Sequence, residues 1–366
     1  MTGSWQIGDA LTLSRGLADN SIDCIVTSPP YWGLRSYLAD DDAAKGLEMG
    51  AEPTLSEYVE RMVVLFRELR RALKPGGTCW LNLGDCYSAG AMSGSKGPNS
   101  STGHNKGQHD GARFSRKASA SGLKPKDLCL VPYRVAMALQ ADGWFLRSHI
   151  IWAKPNPMPE SVTDRPTSAH EAVFLLTKEP RYWYDADAIA EPAIHAGKVV
   201  SLGEKSLSKG QAAGANVSRS GNALADSVTV TSKRNKRNVW TIATKPYSGS
   251  HYAVMPPKLV EPCIKAGCPA KVCAECGAPW VRVVDVETAP NVSRTRNVGG
   301  RDDGYTTPTH GGGIPPSKRI TKGWEPTCDH DAATRPGLVL DPFGGSGTVG
   351  EVAESLGRRW LMFDLD

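Results

Sequence analysis

The residues of this chain best placed to do chemistry form the stretch 27–32, TSPPYW, which directly follows the apolar run 22–26. β-Branched residues that end at two prolines predict a buried strand that stops abruptly, because proline cannot donate to a sheet ladder and fixes φ. A hydroxyl and two aromatic rings are then held rigidly at a strand's carboxyl end, the edge at which open α/β sheets bind ligands. No histidine and aspartate partners that would make Ser28 a nucleophile are evident.

A second stretch, residues 338–350 (LVLDPFGGSGTVG), combines an apolar strand, a glycine-rich turn and the start of a helix. Gly345, Gly347 and Gly350 match the dinucleotide-binding pattern, and Asp364 follows about 20 residues later. Glycines let the backbone approach a cofactor closely, and the acidic residue can accept hydrogen bonds from ribose hydroxyls. A nicotinamide nucleotide and S-adenosylmethionine share both needs, so the pattern alone does not choose between them.

The cysteines indicate a metal site. The chain has 9 cysteines and no secretory features, which argues against a disulfide framework. The knuckle 273–277, CAECG, and the sequence 328–330, CDH, offer thiolate and imidazole groups that suit tetrahedral structural zinc. Cys268 is an alternative ligand, and free reduced cysteines are the competing interpretation. The predicted zinc ligands, within a small zinc ribbon, are Cys273, Cys276, Cys328 and His330.

The elements that must position these residues alternate between strands and helices. Residues 55–73 place apolar groups at helical spacing, and this helix is predicted to stop at 74–77, KPGG. A strand at 78–85 follows, so the order strand, helix, strand predicts a right-handed parallel crossover. Further strands are predicted at 144–152, 172–177 and 360–363, and further helices at 130–139 and 349–356.

Composition restricts the class of protein. With 40% hydrophobic and 22% charged residues, the 366-residue chain is typical of a globular protein with one large α/β domain or two domains. A net charge of +5 permits a polyanionic partner without requiring one. No run approaches the roughly 18 apolar residues of a membrane span, and the N-terminus lacks a signal-peptide core. The chain is therefore predicted to be cytoplasmic, with no membrane partner.

Taken in order, the motifs resemble those of DNA amino-methyltransferases, which move a methyl group from S-adenosylmethionine to an exocyclic base nitrogen. The catalytic motif precedes the cofactor motif, as in the permuted, beta-type arrangement of that family. The resemblance implies an α/β fold, a Rossmann-like S-adenosylmethionine-dependent methyltransferase sheet with inserted recognition segments. The matching pieces are Gly8-Asp9, TSPPYW at 27–32, LNLGD at 81–85, IWAKPNP at 151–157, His170-Glu171, HYAVMP at 251–256 and DPFGGSGT at 341–348.

The resemblance also implies roles for individual residues. The Ser28 side chain and the Pro29 carbonyl would accept the hydrogens of the target amine, and Tyr31 would stack on a base flipped from the duplex. Trp32 either adds to that platform or is a core residue. The implied catalytic residues are Ser28, Pro29, Pro30 and Tyr31. The implied cofactor residues are Asp9 near the adenine, His251 closing the pocket, Asp341, the turn residues Phe343, Gly345, Ser346, Gly347 and Thr348, and Asp364 on the ribose.

Three choices stay open at the level of sequence. Ser-Pro-Pro-Tyr preceded by threonine is typical of the TSPPY subgroup and favours cytosine N4, while adenine N6 is the alternative. Methylation at cytosine C5 needs a cysteine nucleophile, and Cys263 lies in a predicted amphipathic helix where a buried thiol is the better interpretation. A catalytically inactive zinc-containing DNA-binding protein and a nicotinamide oxidoreductase are the competing classes.

Two polar tracts, 88–122 and about 195–238, are rich in small polar and basic residues, so each is a solvated linker or a DNA-contacting segment. Double-stranded DNA is the expected partner.

Relatives usually continue through a helix after the strand that carries Asp364, so another segment or a partner subunit, as in a homodimer, is expected to cover that face unless the protein is a shortened form. The predicted segments are 1–87 (catalytic part), 88–125 (mobile DNA-facing loop), 126–190 (continuation of the methyltransferase domain), 191–238 (basic recognition segment), 239–267 (cofactor-pocket helix), 268–335 (zinc-ribbon insert) and 336–366 (S-adenosylmethionine-binding part).

Overall fold

The computed structural model contains one large mixed sheet with helices packed on it, and several two-stranded sheets. The residues it describes are 3–33, 41–42, 45–88, 122–194, 199–201, 227–229, 233–244, 254–287 and 318–365. The strands are β1 (Gly3–Ile7), β2 (Ile22–Thr27), β3 (Leu73–Leu83), β4 (Phe145–Ala153), β5 (His170–Thr177), β6 (Glu191–Pro192), β7 (Val199–Ser201), β8 (Ser227–Thr229), β9 (Lys233–Arg234), β10 (Val239–Thr241), β11 (Val272–Cys273), β12 (Trp280–Glu287), β13 (Lys318–Pro326), β14 (Thr334–Arg335), β15 (Leu338–Asp341) and β16 (Arg359–Asp364). The helices are α1 (Ala10–Arg15), α2 (Leu55–Ala72), α3 (Val131–Ala141), α4 (Pro257–Gly267) and α5 (Thr348–Ser355).

The large sheet has eight strands in the order β1-β16-β15-β2-β3-β5-β4-β10. Its neighbouring strands are parallel except at β5, which is antiparallel to both β3 and β4. The crossover from β2 through α2 to β3 is parallel, as the sequence predicts. Because β5 runs the opposite way, its amino end meets the carboxyl ends of β3 and β4. Side chains from all three strands can therefore converge at one edge.

Helix α2 packs an apolar stripe into the hydrophobic core beside the sheet. Thr54 and Glu57 form a capping box at its start, which satisfies two backbone N–H groups that would otherwise lack partners. Its apolar stripe, which includes Tyr58, Met62 and Leu65, is fully buried. Burial of a large apolar side chain contributes about 1.5–3 kcal/mol, so this stripe fixes the helix over β2 and β3 far more strongly than the cap does.

The prediction for the start of β3 was wrong. The sequence placed that strand at 78–85, after a stop at 74–77, whereas β3 begins at Leu73. The register with β2 shifts between Ile22 and Cys24, opposite the proline and the glycines. An irregular ladder tolerates a missing N–H donor at Pro75, so the strand can include residues that usually end one.

The chain divides into two compact units. The first comprises Met1–Tyr184, Asn238–Pro279 and His330–Asp366 and contains the eight-stranded sheet. The second comprises Asp185–Arg237 and Trp280–Asp329, with the two-stranded sheets β6-β9, β7-β8 and β12-β13.

Within the first unit, the strand that carries Asp364 is flanked by β1, which pairs with it in parallel from Gly3 to Ile7. An N-terminal segment of the chain thus borders that strand. Within the part of the chain that the structure describes, no helix is both long and apolar enough to span a membrane.

Candidate active site and cofactor turn

Ser28 and Tyr31 lie immediately beyond the carboxyl end of β2. The Ser28 hydroxyl donates to the Tyr31 hydroxyl over 3.2 Å, and the Tyr31 hydroxyl donates to Glu171 Oε2 over 2.6 Å. Glu171 is the second residue of β5, whose amino end reaches this edge because the strand is antiparallel. The fold therefore joins residues 140 positions apart in one chain of hydrogen bonds.

Asn82 and Lys154 complete a group that we call the tyrosine cluster: Ser28, Tyr31, Asn82, Lys154 and Glu171. The Asn82 side-chain amide shares its N–H groups among the Tyr31 hydroxyl at 2.7 Å, Glu171 Oε2 at 2.9 Å and Ser28 Oγ at 3.3 Å. Lys154 Nζ pairs with the other carboxylate oxygen of Glu171, and the two side chains are only 18% and 14% exposed. One positive and one negative charge thus balance each other largely away from water.

The cluster keeps the tyrosine neutral. Burial raises the pKa of the Tyr31 phenol well above its usual range, and the adjacent Glu171 carboxylate raises it further. Tyr31 therefore stays protonated at neutral pH and donates its hydrogen bond to the carboxylate.

Close backbone contacts fix the loop that carries Tyr31. The Tyr58 hydroxyl donates to the Pro30 carbonyl over 3.1 Å, which ties the loop to α2. Gly84, which follows β3, lies against the tyrosine ring, and a Cβ at that position would come within 2.6 Å of a ring carbon. The ring is therefore seated in a space that only glycine leaves open.

Trp32 belongs to the core, the second of the two roles that the sequence left open. It is 1% exposed, and its indole N–H donates to the Glu52 carbonyl over 3.1 Å. Of the two aromatic rings in the stretch, Tyr31 alone belongs to the polar cluster.

The glycine turn between β15 and α5 is organised by backbone hydrogen bonds. Gly344 N donates to the Phe363 carbonyl over 2.6 Å, and Gly345 N donates to Asp364 Oδ2 over 2.7 Å. Gly347, the residue that caps the start of α5, has φ +80°, a left-handed conformation that a side chain would strain. A Cβ added at Gly345 would lie 3.9 Å from its nearest neighbour, the Phe343 carbonyl oxygen, so space is left above the turn.

Asp341 lies between this turn and the loop 28–32 that follows β2. Its strand, β15, is the neighbour of β2, and its carboxyl group is 2% exposed. It accepts from Phe343 N over 3.0 Å, and its strand pairs with β2, which ends at Thr27, one residue before Ser28. Burial raises the pKa of Asp341 to about 7 in spite of the hydrogen bond from Phe343 N, and the nearby Asp364 raises it too.

Asp9 lies beside the same strand end. It caps α1 by accepting from Thr12 N over 2.8 Å, and the preceding Gly8 donates its N–H to the Asp364 carbonyl over 2.7 Å. Asp9, Asp341 and Asp364 therefore share one edge of the sheet, around the glycine turn. The remaining predicted pocket residue, His251, lies outside the described residues.

The four predicted metal ligands come together. Cys273, Cys276, Cys328 and His330 place one ligand atom each within 4.8 Å of one another. Ligand atoms of a tetrahedral zinc, with bonds of about 2.0–2.3 Å, lie roughly 3.5–4 Å apart, so small adjustments would close this group around an ion. Three thiolates and an imidazole are a donor set that could hold a metal. The alternative ligand Cys268 is fully buried and is not part of the group.

Cys263 fits the interpretation as a buried thiol. It lies in α4 at 2% exposure, and its Sγ donates to the Leu259 carbonyl over 3.3 Å. A nucleophilic cysteine would need access to a substrate and a stabilised thiolate, and this position provides no access.

Sequence reasoning missed three members of the tyrosine cluster. Asn82, Lys154 and Glu171 occur in stretches that match the family, yet none was assigned a role. Each lies at a strand end, in β3, after β4 and in β5, and the structure brings these ends to one edge. The sequence signal for each of these residues was its position as a polar residue at the end of an apolar strand. That position does not indicate which residue it will contact.

Comparison with known proteins identifies the family. A family model for N6/N4 DNA methylases matches residues 22–271 and 331–366. The chain belongs to the N6/N4 DNA methylase family. The match includes the loop 28–32, the tyrosine cluster and the glycine turn, and most of the residues between its two parts fall in the second compact unit.

Relatives of this DNA methylase agree with that placement. Type II methyltransferase M.SmaI of Serratia marcescens is 42% identical over 261 residues, which cover 71% of this chain and 74% of that protein. Type II methyltransferase M.SfiI of Streptomyces fimbriatus is 32% identical over an alignment that covers 98% of this chain and 87% of that protein. The methylase is thus a type II DNA methyltransferase, which uses S-adenosylmethionine.

Among solved structures, the PvuII DNA methyltransferase, titled as cytosine-N4-specific, superimposes with a TM-score of 0.51 at 17% identity. The match covers 100% of this chain and 83% of that chain, and it supports a methyltransferase-like mixed α/β sheet. The expected sheet is therefore confirmed. A nicotinamide oxidoreductase, the competing enzyme class, is excluded by the family.

Proposed function

We propose that this methylase transfers a methyl group from S-adenosylmethionine to N4 of a cytosine flipped out of double-stranded DNA. The observation that carries the proposal is the parallel pairing of β15 with β2, which places the glycine turn one strand away from Ser28. Neighbouring strands lie about 4.8 Å apart, so a cofactor on the turn and a base at Ser28 would face each other. In family terms this is the beta-type arrangement of the TSPPY subgroup.

The chemistry explains why acceptors are needed at this edge. The lone pair of an aromatic amine is delocalised into the ring, so the nitrogen is a poor nucleophile until it is drawn toward tetrahedral geometry. The Ser28 side chain and the Pro29 carbonyl would accept its two hydrogens, and Pro30 fixes the direction of the loop. Tyr31, held by its hydroxyl, would offer its ring face to the flipped base. S-Adenosylmethionine supplies the electrophilic methyl group.

The residues around the turn fit such a cofactor. Gly345 and Gly347 leave the backbone open to a ligand, and Asp364 at the end of β16 would accept from the ribose hydroxyls. Asp9 would lie near the adenine. The remaining proposed contacts are Asp341, Phe343, Ser346 and Thr348 from the turn, and His251.

Cytosine is favoured over adenine by the hydroxyl at Ser28. In the family pattern, adenine-specific relatives usually carry an acidic residue or asparagine at that position. Both bases present similar amino edges, so adenine N6 remains the second candidate.

We further propose roles for the other segments. The tracts 88–125 and 191–238 would contact DNA phosphates, because such a partner would compensate their basic charge. Zinc bound by the Cys3His group would stabilise a small ribbon within 268–335, since a hairpin of β12 and β13 lies in sequence between the two ligand pairs. A homodimer remains a proposal for the assembly.

The decisive experiment incubates the protein with duplex DNA and isotopically labelled S-adenosylmethionine and identifies the modified nucleoside by mass spectrometry. N4-methylcytosine supports the proposal, and N6-methyladenine supports the second candidate. No methylation by protein that still binds the methyl donor would point instead to a catalytically inactive DNA-binding protein.

A further inference from the structure

Amino methylation leaves one proton to be removed. As the nitrogen lone pair forms the new N–C bond, the sulfur–methyl bond breaks and its electrons remain on sulfur. The nitrogen then carries a positive charge until it loses one of its hydrogens. A site that holds the base away from solvent needs a path for this proton.

The tyrosine cluster contains such a path. Two of its hydrogen bonds follow one another in the same direction, from Ser28 Oγ to the Tyr31 hydroxyl over 3.2 Å and from that hydroxyl to Glu171 Oε2 over 2.6 Å. Ser28 is the group that would touch the target amine, and Glu171 is the anionic end of the chain. Each intermediate hydroxyl can accept one proton while it gives up another.

We propose that the proton leaves the methylated amine through Ser28 and Tyr31 to Glu171. The N–H bond breaks as Ser28 Oγ gains the proton, the Ser28 proton passes to the Tyr31 oxygen, and the Tyr31 proton passes to Glu171 Oε2. The products are a neutral methylated base, two regenerated hydroxyls and a protonated Glu171, which later releases its proton to water. This inference depends on the proposed amino methylation but applies equally to cytosine and adenine.

The surroundings of Glu171 suit an acceptor of protons. Lys154, after β4, pairs with Oε1, so Oε2 faces Tyr31 and Asn82. Lys154 and Tyr31 are the titratable groups bonded to this carboxylate among the described residues, and Asn82 does not titrate. The Tyr31 phenol is held protonated, so it passes a proton on and does not act as the base.

A purely structural role for Glu171 makes different predictions. If the carboxylate only anchors the tyrosine ring, then its loss should weaken DNA binding and should not alter the pH dependence of the chemical step. Tyr31→Phe separates the two roles, because it keeps the ring that would stack on the base and removes the hydroxyl.

The test measures single-turnover methylation of duplex DNA from pH 5 to 9, together with the dissociation constants of S-adenosylmethionine and DNA. Glu171→Gln and Tyr31→Phe should each lower the rate roughly 100-fold, a usual size for general acid–base catalysis, with both dissociation constants within threefold of wild type. The decline in rate toward acid pH should disappear in Glu171→Gln. The double variant should lose no more than either single variant, because the two residues act on one path.

Glu160→Gln is the matched control. Glu160 lies in the connection between β4 and β5, and Glu171 is the second residue of β5. Glu160 pairs with Arg165 at 2.7 Å, outside the tyrosine cluster. Its rate and pH profile should equal those of wild type. Glu171→Gln leaves the charge of Lys154 unpaired, which could destabilise the fold. The variant Lys154→Met/Glu171→Gln removes both charges and tests whether the loss of rate persists without an unpaired buried charge.

Each outcome decides between the ideas. A rate within threefold of wild type for Glu171→Gln, or an unchanged acid limb in that variant, overturns the proton path while amino methylation stands. Rate losses that multiply in the double variant overturn it as well. A wild-type protein that binds the methyl donor but methylates neither cytosine nor adenine overturns the proposed function, and the proton path falls with it.

Discussion

The tyrosine cluster and the glycine turn lie at the same edge of one sheet, yet they are built differently. The cluster consists of side-chain contacts among residues from separate segments, such as Ser28, Asn82 and Glu171. The turn consists mainly of backbone hydrogen bonds between residues 341–347 and the nearby strand β16. The cluster should therefore be sensitive to the loss of single functional groups, whereas the turn should be sensitive to added atoms.

The largest effect is expected in the cluster. Ser28→Ala removes a hydrogen-bond acceptor, and Tyr31→Ala removes the proposed stacking ring. Each substitution should lower the methylation rate by about 100-fold or more. Both variants should retain donor binding, because neither residue belongs to the turn. Methylation rates and calorimetric titration with S-adenosylmethionine check this. Intact activity in both variants would remove the proposed catalytic site.

The metal group combines both kinds of construction, since Cys273 and Cys276 are local while Cys328 and His330 come from a distant part of the chain. We expect purified protein to contain one zinc per chain by mass spectrometry of metals. Chelation should lower the unfolding temperature by several degrees, because structural zinc contributes directly to folding. Cys276→Ser should lose the metal, and Cys268→Ser should retain it. A metal content that Cys276→Ser does not change would exclude this ligand set.

A smaller effect is expected in the turn. Gly347→Val adds a β-branched side chain at φ +80°, which costs roughly 1–2 kcal/mol and should weaken donor binding about 10-fold. Saturating donor should largely restore the rate, unlike in the cluster variants. Gly357→Val is the matched control, because Gly357 has φ +67° with open space and follows α5 outside the turn. Equal donor affinity in both variants would contradict the assignment of the turn.

The smallest effect concerns Asp341. Its pKa is raised from 3.8 to about 7 by burial, so the folded state loses stability as pH rises between these values, because the unfolded chain releases this proton while the folded protein keeps it until about pH 7. Asp341→Asn removes that charge and should stabilise the protein more at pH 8.5 than at pH 5.5. Thermal unfolding of both proteins at the two pH values measures the difference. An increase in the unfolding temperature of Asp341→Asn that is the same at both pH values would contradict the raised pKa of Asp341.

The sequence by itself determined the features that depend on neighbouring residues. Strand β2 with its two prolines, the glycine turn and the CAECG knuckle all follow from local backbone preference and spacing, and residues 55–73 gave the buried stripe of α2 almost to its last residue. The cofactor role of Asp341 and the turn was predicted from the glycine spacing and the resemblance to a family, both of which are local in the sequence, and it stays a prediction.

The tertiary structure alone decided how the loop 28–32 is supported. Nothing near Tyr31 in the sequence predicts that its hydroxyl bonds to Glu171, because that contact depends on β5 being antiparallel and on its register with β3. The same holds for Trp32, whose burial depends on what packs over β2, and for the early start of β3. Strand direction and register are set by the packing of the whole sheet, and no local pattern encodes them.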